Sequence, residues 1–167
     1  GISGFGLAKQ LGCPVGEASA FISRYLAEFR EIQDYMEQTK QLAKDQGYVE
    51  TLYGRKCFIP GIQDKNQARV RGAERQAINA PLQGTAADIM KIAMGRMPAA
   101  LKEAKLSAKM LLQVHDELIF EVSETEIEET LRVATETLEN SFKINGLNIT
   151  VPLIAEGGNA KNWALAH

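Results

Sequence analysis

The stretch Met110–Val122, MLLQVHDELIFEV, decides how this chain is read. Its two largely apolar runs, 110–114 and 118–122, each have the length and side chains of a short core strand. Between them stand three polar residues, His115, Asp116 and Glu117. Two adjacent carboxylates are costly to bury unless they lie at a turn or hold a cation. The stretch therefore predicts strand, tight turn, strand, with both acids lifted to the tip of a hairpin. Adjacent carboxylates on such a tip suit Mg²⁺, which takes few carboxylates and completes its shell with water and substrate phosphates. Acidic residues are also common in turns that hold nothing, so the pair alone leaves both readings open.

The 167 residues are enough for one domain with a real core, or for part of a larger one. With 45% hydrophobic and 24% charged residues, the composition is that of an ordinary globular protein. No apolar run approaches the length of a membrane span and no signal peptide opens the chain, so no membrane partner is expected. The opening GISGFGLAKQLG, beginning at Gly1 rather than Met, predicts a start inside a structured region, hence a truncated chain. Cys13, Cys57, His115 and His167 have no zinc-binding spacing, and a reduced, cytoplasmic setting fits them.

The net charge of −2 hides an asymmetry. The charged residues after Val122 are mainly acidic, seven acidic against three basic (Arg132, Lys143 and Lys161). Six basic residues (Arg55, Lys56, Lys65, Arg69, Arg71 and Arg75) cluster between 55 and 75, facing only Asp64 and Glu74. A local basic patch on a mildly acidic protein suits a polyanion site, although a solvated charged face is as common a reason for such a cluster.

Along the chain, Ser3–Leu11 reads as a short helix closed by Gly12 and Pro14. Apolar periodicity from Glu17 to Gln46 predicts helix with a break near 29–31, stopped by Gly47. YVETLYGRKCFIP, 48–60, reads as a hairpin turning at Tyr53-Gly54, with Pro60 ending its second strand. A long helical stretch from Gln67 to about Met97 is expected to be interrupted and kinked by Pro81 and Gly84. Ser123 with Glu126 forms an S-x-x-E capping-box pattern ahead of an apolar stripe, Ile127, Leu131, Ala134 and Leu138. NITVPLIAE, 148–156, reads as a final edge strand. The fold class is α+β: a helical first half, then a small antiparallel sheet backed by helices.

On the long helix, Arg71, Arg75, Asn79 and Gln83 recur every four residues as a slowly drifting polar row. Gly72, Ala73, Ala77 and Ala80 keep its flanks small. Such a face can approach a polymer backbone or groove closely, Arg reaching phosphates or groove-edge acceptors while Asn and Gln both donate and accept. An ordinary solvent face with Ala-rich packing has the same appearance.

QVHDELIFEV together with AERQAINAPLQGTAADIMKIAM resembles the C-terminal part of bacterial DNA polymerase I, the family A DNA polymerases. The two segments stand in that family's order, about thirty residues apart. GFGLAKQLG is similar to the helix after the family's fingers nucleotide-binding helix, AKDQGYVETLYGRK to the helix-hairpin leading toward the palm, and GGNAKNWALAH to the family's C-terminus. The likeness covers essentially the whole chain, with 1–47 as a helical fingers portion and 48–167 as hairpin, long helix and palm sheet.

The resemblance implies that VHDE is motif C of the palm. Asp116 would then be one of two aspartates holding the catalytic Mg²⁺ ions, with Glu117 a supporting acid. Gln113 and His115 would lie beside the primer terminus and nascent base pair. Arg75, Asn79 and Gln83 would contact primer–template DNA through the minor groove, and Arg69 a phosphate. The chain departs from the family pattern at Val70, where a second Arg is frequent, and at Tyr53, where the turn is usually Asp-Gly. The second metal-binding aspartate, in motif A, and the nucleotide-binding helix precede the region matched by this chain. The implied parent is a monomeric, cytoplasmic bacterial polymerase acting on deoxynucleoside triphosphates, and the chain alone is expected to be inactive. Two other readings remain: a non-catalytic duplex DNA-binding module, and a metal-dependent phosphohydrolase built on the adjacent acids.

Overall fold

The computed structural model describes residues 2–143 and 149–165. The chain divides into two compact units, Gly1–Thr85 and Ala86–His167.

The first unit opens with three helices, α1 (Gly4–Leu11), α2 (Val15–Glu28) and α3 (Arg30–Gln46). The expected punctuation sets their ends. The Ser3 hydroxyl accepts from the Gly6 N–H at 3.1 Å, an N-cap that satisfies one of the donors left open at a helix start. Gly12 and Gly47 take left-handed φ of 67° and 80° after α1 and α3, the conformation that closes a helix C-terminus most easily on glycine. The break near residue 30 is a single residue, Phe29, with φ −106° and ψ 70°. Antiparallel strands β1 (Tyr48–Glu50) and β2 (Lys56–Phe58) follow, turning through Gly54 at φ 76°. Ala43, Val49, Ile59, Ile62, Ala73 and Ala77 form the core of this unit, where small alanines let α3, the hairpin and the next helix close together.

That next helix, α4, runs from Gln67 to Glu103 and contributes to both units. It is neither interrupted at Pro81 and Gly84 nor ended at Met97, and it also passes through Pro98. Each proline removes only one N–H from the ladder. Around Pro81, side chains from other elements also bond the flanking carbonyls. The helix ends with Leu106 N–H donating to Leu101 carbonyl and Lys105 N–H to Lys102 carbonyl, Lys105 taking a left-handed φ of 57°.

In the second unit, β3 (Lys109–Val114) and β4 (Glu117–Glu121) form an antiparallel two-stranded sheet, and α5 (Ile127–Glu139) follows a 3₁₀ turn at Glu124–Glu126. Met97 and Leu101 of α4 pack with Val133 and Ala134 of α5, and Met110, Leu118 and Phe120 of the sheet lie against them. Among the described residues the sheet is covered on this face only. Leu111 and Leu112 are 55% and 43% exposed, so the runs that read as core strands are half-covered ones.

Two further expectations are corrected here. The capping box at Ser123 does not form: the Ser123 hydroxyl meets Thr125 Oγ1 at 3.1 Å and caps no N–H. Glu126 turns instead to Ser107, accepting from its N–H at 2.8 Å and its hydroxyl at 2.9 Å, and so ties the loop before β3 to the start of α5. The final edge strand is absent from the described residues 149–156, with Asn148 outside them. A strand needs a neighbour's ladder to satisfy its backbone, whereas this stretch is held along α5 by the Ala155 N–H donating to Glu139 at 3.0 Å.

Candidate functional site

The site residues expected from the sequence fall into one group in each unit. In the first unit, Arg71, Arg75, Asn79 and Gln83 lie along α4, beginning nearly three turns before Pro81 and ending just after it. Arg71, Arg75 and Gln83 are exposed and Asn79 is half-buried. Among the described residues, none of the four has a side-chain hydrogen bond or ion-pair partner. The opposite side of the same turns is occupied: Ala73 and Ala77 are in the core and Lys44 pairs with Glu74 at 2.7 Å. An unpartnered row of donors on one face, backed by alanines on the other, is a surface organised for an external polar partner.

Arg69 is engaged differently. Its guanidinium lies 3.2 Å from the Asp64 carboxylate. Asp64 also accepts from the Asn66 N–H at 2.8 Å, and Asn66 in turn accepts from the Ala68 N–H at the start of α4. The Asn66 N–H first, and Arg69 second, hold the Asp64 carboxyl below its ordinary range. Elsewhere in the basic cluster, Arg55 donates to the Gly84 carbonyl at 3.0 Å and Lys56 sits 4.4 Å from the Tyr48 ring centroid. The cluster is thus not one free basic face.

In the second unit, His115 and Asp116 are the two turn residues of the β3–β4 hairpin. His115 takes φ 53°, a left-handed value that a non-glycine residue occupies at a cost of about 1–3 kcal/mol. Asp116 is exposed in the turn, whereas Glu117 is already the first residue of β4, paired with Val114. The acids therefore do not share the tip as the sequence suggested.

A bulge lies between Met110 and Leu112: Met110 faces Phe120, Leu112 faces Ile119 and Gln113 faces Leu118. Cross-strand partners share a face, so the extra residue, Leu111, puts Gln113 on the Leu118 face and Leu112 on the open one. There the Gln113 side-chain amide donates to the His115 carbonyl at 2.8 Å, bracing the turn from beneath. Strict alternation, the only signal in the sequence, would have given the reverse.

As cation ligands, the exposed Asp116 carboxylate and the neighbouring Glu117 are hard oxygen donors on a braced support. No three His, Cys, Asp or Glu side chains gather into a metal-binding group among the described residues. The donor set fits Mg²⁺, which keeps several waters and is commonly held by one or two carboxylates with substrate phosphates.

The comparisons with known proteins agree over most of the chain. The family model described as DNA polymerase family A matches residues 1–165. The chain is 46% identical over 167 residues to DNA polymerase I of Pseudomonas aeruginosa, covering 100% of itself and 18% of that protein. It is 45% identical over 163 residues to DNA polymerase I of Bacillus subtilis, covering 98% of itself and 18% of that protein. A solved structure of the POL domain of Pol1 from M. smegmatis, in complex with DNA primer-template and dNTP, matches with a TM-score of 0.78 and 41% identity over 85% of this chain and 25% of that one. The chain thus spans less than a fifth of the length of these two relatives. A match this long, which includes the hairpin and the α4 row, makes the chain a member of DNA polymerase family A.

Proposed function

We propose that this chain supplies the primer–template-gripping helix and one metal-binding aspartate of a template-directed DNA polymerase, with 1–47 as a fingers portion and 48–167 leading into the palm. The observation that carries the reading is the unpartnered row Arg71, Arg75, Asn79 and Gln83 on α4, together with the braced turn that presents Asp116. The solved neighbour that holds DNA primer-template and dNTP supports both partners.

On this reading, Arg75, Asn79 and Gln83 hydrogen-bond minor-groove acceptors, which nearly every base pair offers in similar positions, so the grip is indifferent to sequence and sensitive to pair geometry. Arg69 contributes toward a backbone phosphate, sharing its charge with Asp64. Asp116 holds Mg²⁺, with Glu117 supporting it. Bound there, the ion neutralises charge on the nucleotide phosphates and makes the primer hydroxyl a better nucleophile. Gln113 keeps the turn in shape, and His115 lies next to the primer end. The strained φ of His115 is the kind of local cost retained where a side chain is needed in one position. A second carboxylate ligand comes from a segment outside this chain, so the 167 residues alone extend no primer. The protein is expected to act in the bacterial cytoplasm as a monomer; no helix of the described residues is long and apolar enough to cross a membrane.

The test is nucleotide incorporation by the polymerase that carries this chain. Asp116→Ala is expected to lower kcat by more than about 100-fold, beyond the loss for an outer-shell partner of a metal, while primer–template affinity stays within a factor of two or so, about 0.4 kcal/mol. Incorporation that survives Asp116→Ala would refute the metal role. DNA binding that ignores Mg²⁺ and Asp116→Ala, yet weakens with salt and with Arg75→Ala, in a protein without incorporation, would leave the duplex-binding module as the better reading.

A further inference from the structure

Three residues outside the Arg75–Asn79–Gln83 row make hydrogen bonds around the first of the two prolines in α4. Pro81 lacks the N–H that would donate to the Ala77 carbonyl, so one rung of the helix is missing in the middle of that row. A helix missing a rung bends more readily at that point. Before Pro81, the Tyr35 hydroxyl on α3 donates to the Ile78 carbonyl at 2.9 Å. Burial raises the Tyr35 pKa, which favours the protonated, donating form.

After Pro81, the Arg55 guanidinium donates to the Gly84 carbonyl at 3.0 Å, and the Leu52 N–H donates to Thr85 Oγ1 at 3.0 Å. The Thr85 hydroxyl in turn donates back to the Pro81 carbonyl at 2.6 Å. The contact is close enough to depend on glycine: a methyl group on Gly84 would lie 2.7 Å from Thr51 Cγ2 and 3.1 Å from the Arg55 guanidinium. Thr51 and Thr85 are both buried. All of these groups belong to the first unit.

We propose that Tyr35, Arg55 and Thr85 form a splint across Pro81 that fixes the spacing of Arg75 and Asn79, before the gap, relative to Gln83, after it. They are positioning residues and touch no nucleic acid themselves. The proposal rests on the reading of the row as the primer–template contact. Without the splint, Gln83 samples a range of positions relative to the two residues upstream, and ordering it becomes part of the cost of binding a duplex.

The experiment measures equilibrium primer–template affinity by fluorescence anisotropy in the full-length polymerase carrying this chain. Arg55→Met is expected to weaken binding about 5-fold, the effect of one hydrogen bond, and Arg55→Lys, which keeps a donor, to recover part of the loss. Tyr35→Phe, which removes only a hydroxyl, gives a second route should Arg55→Met fold poorly, and the same weakening is expected of it. The deciding measurement is the double-mutant cycle with Gln83→Ala. Because the splint acts through Gln83, Arg55→Met adds little in that background. Full additivity would overturn the proposal, as would lowered thermal stability with unchanged affinity. Unchanged affinity in Gln83→Ala alone would remove the row itself from the duplex contact, and the splint's role with it. That result is distinct from failure of the splint alone, in which Gln83→Ala weakens binding but Arg55→Met does not.

Discussion

Replacing Gly84 by Ala tests the packing between α4 and the β1–β2 hairpin with an internal control. In an exposed helix interior, Gly→Ala stabilises by about 1 kcal/mol through helix propensity. At Gly72 and Gly95, both inside α4, nothing lies within 4 Å of an added methyl, and that gain is expected in full. At Gly84 the methyl would lie 2.7 Å from Thr51 Cγ2. Thr51 cannot swing aside freely, because its hydroxyl accepts from the Tyr53 and Arg55 N–H groups at 3.3 and 3.2 Å. The hairpin must therefore move off the helix, an overpacking cost of about 1–3 kcal/mol. Losing the Arg55–Gly84 hydrogen bond adds about 0.5–1.5 kcal/mol. Against the propensity gain, Gly84→Ala is expected to destabilise by about 1–3 kcal/mol, lowering Tm by roughly 2–10 °C for a chain of this size. Gly72→Ala and Gly95→Ala are expected to raise it by a few degrees. Urea and thermal denaturation followed by far-UV circular dichroism measure all three. A Gly84→Ala variant as stable as Gly72→Ala would refute the close packing on which the argument depends.

The Glu126–Ser107 tie predicts that Glu126→Ala costs about 1–2 kcal/mol, since the Ser107 N–H and hydroxyl lose a charged acceptor together, while Ser123→Ala stays within about 0.5 kcal/mol. Equal losses of about 1 kcal/mol in the same denaturation assay would restore the capping box. Asp64 should titrate below an ordinary aspartate in carboxyl-carbon NMR, and Arg69→Ala should raise its midpoint only partway, because the Asn66 N–H is the larger cause. The folded value is depressed, so its contribution to stability is present at neutral pH and is lost as pH falls from the unfolded carboxylate range through the folded value. A midpoint unmoved by Arg69→Ala would remove the ion pair from that account.

What could be read in the sequence was local. Ser3, Gly12 and Gly47 act on the backbone within four residues, and the structure uses each as a helix boundary. The break beside Phe29 follows from a lapse in periodicity that is equally local. Pro81 misled because the groups that keep α4 continuous around it come from Tyr35 and Arg55, distant in sequence. Ser123 misled for the same reason, since Ser107 draws Glu126 away from it. The stretch 149–156 has strand composition, but no ladder partner among the described residues gives it a strand's hydrogen bonds. As for the site, the four-residue spacing of Arg71 to Gln83 placed that row correctly on one helix, and the hairpin was correctly read, although of the acidic pair only Asp116 lies in its turn while Glu117 begins β4. The bulge at Leu111 carries no mark in the sequence, so the side to which Gln113 points was not legible.

That bulge and the two-residue turn make the hairpin a matter of counting. Deleting Leu111 would close the bulge and return β3 to strict alternation, with Leu112 still opposite Ile119 and Gln113 still opposite Leu118. Deleting Leu112 instead would move Leu111 into its place, whereas deleting any residue outside the bulge would break the register. Adding one residue beside Asp116 would shift β4 by one step and turn Leu118 and Phe120 away from Met97 and Leu101. Across descendants of this gene, amino-acid replacements along 110–122 can therefore accumulate one at a time, and a codon can be lost at the bulge, whereas one gained or lost elsewhere in the stretch displaces the whole arrangement at once.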